Sequence, residues 1–136
     1  MAYQLDFEQL VEFNQNEEGI GLAVEIRYSD VSVKINAKID TGAAYSIFAR
    51  RFGEELGLDI ESGMRQRFGT ATGSFYAHGF RVTMITANIE LDAMVFFAAD
   101  ESFTKNVLGR ITWLDNLVLG LVDCEGKIYL SKYRAQ

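Results

Sequence analysis

The sequence contains no proline, no internal repeat and no low-complexity segment. Nothing in it marks a linker, and 136 residues suit one domain. It has one cysteine, Cys124, which excludes an intrachain disulfide. That thiol lies in a turn pattern and reads as inert. It has one histidine, His78, so a zinc site would need carboxylates for most of its ligands. No metal-ligand spacing is present. A Ser-His-Asp or Cys-His arrangement would have to be built on His78, which reads as a surface residue on a hairpin arm and takes no catalytic role. Cations are also scarce. Thirteen Lys and Arg face nineteen Asp and Glu, for a net charge of −6. This argues against nucleic acid as the main partner, because phosphate contacts need clustered cations. The longest strongly apolar run, AMVFFAA over residues 93–99, is too short to span a bilayer. The first residues, MAYQLDFEQLVEF, lack a basic region and carry acids, unlike a signal peptide. The expectation is a reducing, cytoplasmic setting with no membrane partner.

Apolar residues make up 49% of the chain, enough for a real core. Residues 1–20 read as an acidic, amide-rich N-terminal extension, with a short helix around Phe7 to Phe13. Residues 21–136 read as the single domain. From Gly21 the period is two. Leu22, Val24, Ile26 and Tyr28 alternate with Ala23, Glu25, Arg27 and Ser29. Beyond Ser29-Asp30, Val31, Val33, Ile35, Ala37 and Ile39 alternate with polar partners, which predicts a β-hairpin. AYSIF (44–48) reads as a short strand. ARRFGEELGLDI allows a short helix stopped near Gly57. RQRFGTATGSFYAHGF predicts a hairpin with a Gly- and Thr-rich tip. RVTMITANIELDAMVFFAA holds two strands about Ala87-Asn88. NVLG (106–109) is a short apolar element, RITWLDNL can form one or two helical turns, and LVLGLV and KIYLSKY are final strands about DCEG. Many short strands with regular turns predict an all-β barrel or sandwich. The pairs Gly19/Gly21 and Gly69/Gly73 lack the strand–loop–helix setting of a phosphate cradle, and no cofactor is expected.

The stretch Lys38-Ile39-Asp40-Thr41-Gly42-Ala43 places an acid where an apolar strand ends. Asp, Thr and Gly suit a tight turn on structural grounds alone. The flanks say more. A Gly-tipped hairpin follows about thirty residues on, and Val107-Leu108-Gly109-Arg110 comes near the end.

Over residues 21–131 this order resembles the retropepsin-type aspartic proteases, single-lobe homodimeric relatives of pepsin. The resemblance implies an acid-protease closed barrel with a flap hairpin and one short C-terminal helix. It also implies an endopeptidase that acts on peptide or protein substrates. One carboxylate cannot activate water and protonate a leaving amine at once, whereas two that share a proton can, as in the aspartic-protease dyad. The sequence holds a single Asp-Thr-Gly, so the resemblance implies that a second copy supplies the other Asp40 across a two-fold axis. Thr41 would bond across that axis, and Gly42 would admit the substrate backbone beside Ala43. Thr70, Ala71, Thr72, Gly73 and Ser74 would form the flap tip, which covers an extended peptide. Val107 would line a side-chain pocket. Gly109 and Arg110 would support the loop from behind, and Trp113 would pack in the core or an interface. The C-terminal strand KIYLSKY would pair with its mate in the dimer.

Two departures stand out. Many such proteins carry an acid or a hydroxyl residue after the Ala, where this chain has Ala44. The residue after Gly-Arg is often Asp or Asn, where this chain has Ile111. The alternatives are a dimeric peptide-binding or scaffold module with weak or no catalysis on the same fold, and an unrelated small barrel with a chance motif.

Overall fold

A computed structural model describes residues 1–135. The alternating stretches become strands. They are β1 (Gln9–Glu12), β2 (Gly21–Tyr28), β3 (Val31–Ile39), β4 (Ser46–Phe48), β5 (Met64–Thr70), β6 (Gly73–Thr86), β7 (Ile89–Ala98), β8 (Val107–Leu108), β9 (Leu117–Val122) and β10 (Lys127–Lys132). The one α-helix among the described residues, α1 (Arg50–Glu55), lies where the sequence allows it and stops before Gly57, whose φ is +81°. The helical turn expected over RITWLDNL is a single 3-10 turn, Leu114–Asn116.

The neighbours β2-β3-β8-β4-β7-β6 run in order, and β6 returns to β2 from Val24↔Thr86 to Arg27↔Thr83. That pairing closes a six-stranded barrel. Inward residues of β2, β3, β6 and β7 fill it, among them Val24, Ile26, Ile35, Met84 and Val95. Trp113 is fully buried, and its indole N–H donates to Thr86 Oγ1 at 3.1 Å. The β6–β7 turn puts Ala87 and Asn88 at φ +48° and +66°, the primed geometry that suits a two-residue hairpin. Strand β6 runs unbroken for 14 residues. Its first half pairs with β5, and its second half closes the barrel.

Three expectations are corrected. Around Phe7 to Phe13 there is a strand, not a helix. β1 pairs with β10 from Gln9↔Leu130 to Glu12↔Lys127. Val11 and Phe13 pack on the core, so the ladder offered by β10 overrides a local apolar spacing that is also compatible with a helix. Next, β10 does not offer a free edge to a mate, because it lies between β1 and β9 in a three-stranded sheet. Finally, His78 is buried rather than on the surface, with its Nδ1 3.2 Å from the Gly63 carbonyl oxygen at the base of the β5–β6 hairpin. No helix among the described residues is long and apolar enough to cross a membrane.

At the barrel wall, Arg50 binds Glu61 through two contacts of 2.9 and 2.7 Å and also donates to the Ala99 carbonyl. The Arg50 hydrogen bond holds the Glu61 carboxyl below its ordinary value. A depressed folded-state value adds stability above the unfolded value, and this is lost as pH falls through the folded one. Glu61→Gln should therefore melt slightly below wild type at neutral pH, and the two should converge as the pH falls through the depressed folded-state value of Glu61. The gap will be small because Glu61 is exposed. A gap that stays constant in melting curves on acidification would mean that the carboxylate's charge adds nothing.

Candidate active site

Strand β3 carries Asp40 to the end of the barrel wall by pairing in parallel with β8, through Lys38↔Val107 and Ile39↔Leu108. The Asp40 N–H donates to the Leu108 carbonyl at 2.9 Å, and the Ile39 N–H to that of Ile20 at 2.9 Å. The chain then turns sharply. The Gly42 N–H donates to Asp40 Oδ1 at 3.0 Å, and the Ala43 N–H to the Asp40 carbonyl at 3.1 Å, an Asx-type turn. A side chain at Gly42 would bring a Cβ to 3.3 Å from that carboxylate oxygen. Asp40, Thr41 and Gly42 are all exposed, and Ala43 is half-buried.

The segment after β8 grips this loop from behind through its main chain. The Arg110 N–H donates to the Ala43 carbonyl at 3.0 Å, and the Ile111 N–H to that of Ala44 at 2.7 Å. Gly109 is buried against the Tyr45 backbone, where a Cβ would lie 2.4 Å from the carbonyl carbon and oxygen. The Gly109 N–H donates to the buried Ser46 Oγ at 3.0 Å. The Arg110 side chain is exposed and forms no salt bridge among the described residues. With Ala44, Ile111, Leu114 and Asp115 it lines a groove of about 450 Å³.

A larger groove, about 830 Å³, opens at Asp40 itself and includes Ile39, Val107, Lys38, Lys105 and Glu17. Val107 and Asp40 thus share one cavity. Lys38 Nζ lies 3.2 Å from Glu17 Oε2, so the N-terminal segment forms part of the rim. The β5–β6 hairpin turns at Ala71-Thr72, where Thr70 pairs with Gly73 and its Oγ1 donates to the Gly73 carbonyl at 3.2 Å. Thr70, Ala71, Thr72, Gly73 and Ser74 are exposed, and none of them lines the Asp40 groove. Below the tip the hairpin rests on aromatic rings. Phe68 stacks on Phe75 at 5.6 Å, Phe75 on Phe103 at 4.6 Å, and Phe68 meets Phe96 edge-on at 5.1 Å. Those rings tie the hairpin to the loop that leads into β8.

Sequence reasoning passed over Ser46, Asn106 and Thr112. Ser46 Oγ accepts the Gly109 N–H behind the loop, and Asn106 Oδ1 accepts the Ala49 N–H at the start of α1 at 2.9 Å. A serine inside the apolar stretch AYSIF is the one signal that could have pointed to such a role, since a buried hydroxyl needs a partner.

A family model described as "Aspartyl protease" matches residues 24–112. Among solved structures, the chain is similar to a retropepsin-like aspartic protease from Rickettsia conorii, with 14% identity, a TM-score of 0.63, and coverage of 88% of this chain and 95% of that one. It is also similar to EIAV protease in complex with the inhibitor HBY-793, with 20% identity, a TM-score of 0.55, and coverage of 74% and 88%. At these identities the likeness concerns the fold, which is retropepsin-like. A search of curated proteins found no match.

Proposed function

The chain belongs to the aspartyl protease family, and on that premise we propose that it is an endopeptidase whose active site forms between two copies. The observation that carries the reading is the setting of Asp40. Its carboxylate accepts the Gly42 N–H, is exposed at the end of a parallel strand pair, and opens onto a groove. A loop held this firmly yet left uncovered suits apposition with an identical loop. Thr41, exposed beside it, would brace the two loops across the axis.

In the dimer the two Asp40 carboxylates share one proton, because like charges so close cannot both ionise. The charged one takes a proton from a bound water as the water oxygen attacks the peptide carbonyl carbon. The protonated one gives its proton to the carbonyl oxygen, so a tetrahedral diol forms. Collapse of the diol returns a proton to one carboxylate, moves the other proton to the nitrogen, and breaks the C–N bond. Val107 would contact a substrate side chain, and the Gly42 carbonyl would accept a substrate N–H. The tip residues 70–74 would close over the peptide, with the aromatic contacts at Phe68 and Phe75 as their anchor.

A second reading, a peptide-binding module without efficient turnover, draws on Ala44 and on an Arg110 side chain that forms no salt bridge among the described residues, where an acid–arginine pair would otherwise order the substrate backbone. One experiment separates the two. The protein is incubated with a diverse peptide library at acidic to neutral pH, beside Asp40→Asn, and products are read by mass spectrometry. Cleavage by wild type alone is the expected result, strongest at the acidic end, where the pair retains its shared proton. Retained peptide binding without products would favour the module, and cleavage that survives in the variant would remove Asp40 from the mechanism.

A further inference from the structure

Thr112 adopts a backbone conformation that its side chain disfavours. Its φ is +68°, a left-handed value that a β-branched residue rarely takes. Something must hold it there, and the contacts show what does. The Thr112 Oγ1 accepts the Met94 N–H at 2.9 Å and donates to the Met94 carbonyl at 3.1 Å. One hydroxyl therefore satisfies both outward backbone groups of Met94 on β7. In the β4–β7 ladder the next step belongs to Ser46↔Val95, so Thr112 stands in for strand β4 just where β4 gives way to the active-site loop. The Asn116 side chain adds a hydrogen bond to the Thr112 carbonyl at 3.1 Å. The segment 109–112 is thus pinned at both ends, by Gly109 against Tyr45 and Ser46 and by Thr112 against Met94. Between the pins lie the two N–H groups, of Arg110 and Ile111, that hold the carbonyls of Ala43 and Ala44.

We infer that Thr112 is a positioning residue: its hydroxyl, clamped on Met94, sets the height of the Arg110–Ile111 clasp and so the placement of the Asp40 loop against its mate. This rests on the endopeptidase reading for its catalytic consequence but not for its structural one. Loosening the clasp lets the two Asp40 carboxylates drift apart. Their mutual repulsion falls with distance, so their two apparent pKa values approach each other. The bell-shaped pH profile then narrows, which a loss of folded protein alone would not cause.

The test compares Thr112→Val, which keeps the shape and removes the hydroxyl, with Thr112→Ser, which keeps the hydroxyl. Thr112→Gly removes the hydroxyl while tolerating the positive φ, and serves if the valine variant does not fold. Two quantities are measured: the pH profile of kcat/KM, and amide hydrogen exchange at Arg110 and Ile111. Valine or glycine should lower kcat/KM by roughly tenfold to a hundredfold, in line with an ångström-scale misplacement. Either should also draw the two limbs of the profile together and speed exchange at those two amides while leaving β6 unchanged. Serine should restore both readouts. Wild-type exchange at Arg110 and Ile111 in the variants lacking the hydroxyl would overturn the inference. So would unshifted limbs with activity lost only in proportion to folded protein. If the wild type cleaves no peptide, the endopeptidase reading fails by itself, and the exchange rates still decide whether Thr112 holds the clasp.

Discussion

Mixing wild-type protein with a growing share of Asp40→Asn should depress peptide cleavage as the square of the wild-type fraction. The reason lies in the site's symmetry. If each active site takes one Asp40 from each copy, a mixed dimer holds one carboxylate and one amide. An amide can neither share the proton nor accept one from water, so the mixed dimer is inactive. With equal amounts fully exchanged, only about a quarter of the dimers keep two acids. A site complete within one chain would leave about half of the activity instead. The pure variant should fold normally, because Asp40 is exposed and its side-chain bond from the Gly42 N–H can be kept by the Asn oxygen. Circular dichroism would check that point, and residual activity near one half in the equal mixture would sink the shared-site mechanism.

Gly109→Ala should be the most damaging glycine-to-alanine change, since its added Cβ meets backbone most closely. The added Cβ would lie 2.4 Å from the Tyr45 carbonyl, and the obstacle is backbone, which cannot rotate away. Either β8 withdraws, breaking the Asp40 N–H bond to Leu108, or the loop yields. The expected cost is at least about 3 kcal/mol, at the upper end of overpacking effects. That lowers Tm by roughly 10 °C in a chain of this size. Gly69→Ala is the matched control, since a Cβ there meets nothing within 4 Å. It should leave Tm nearly unchanged. A Tm for Gly109→Ala within a degree or two of wild type would mean that the loop is far softer than its contacts imply.

Much of the barrel was legible in the sequence because its strands are half-buried, and half-burial writes a period of two. The hairpins about Ser29-Asp30 and Ala87-Asn88 could be read for that reason, and so could the turn that bears Asp40. What could not be read depends on partners far along the chain. β1 is a strand only because β10 is there to pair with it. His78 looked exposed between two small residues, yet tertiary packing covers it. β6 spans what looked like two strands, because nothing local marks where one set of partners ends and another begins. Ser46 and Thr112 look like ordinary polar residues until the backbone groups they satisfy are in view.

The central place of β10 has a consequence for how the chain comes to be folded. Gln9 faces Leu130, so the two strands that meet in that ladder are made more than a hundred residues apart. During synthesis the β2–β3 hairpin and the rest of the barrel can assemble while Val11 and Phe13 still lack their seat. Closing so long a loop is among the slower steps open to a small β protein. Until β9 and β10 emerge, β1 has no strand to pair with, and Val11 and Phe13 stay uncovered beside a nearly finished barrel.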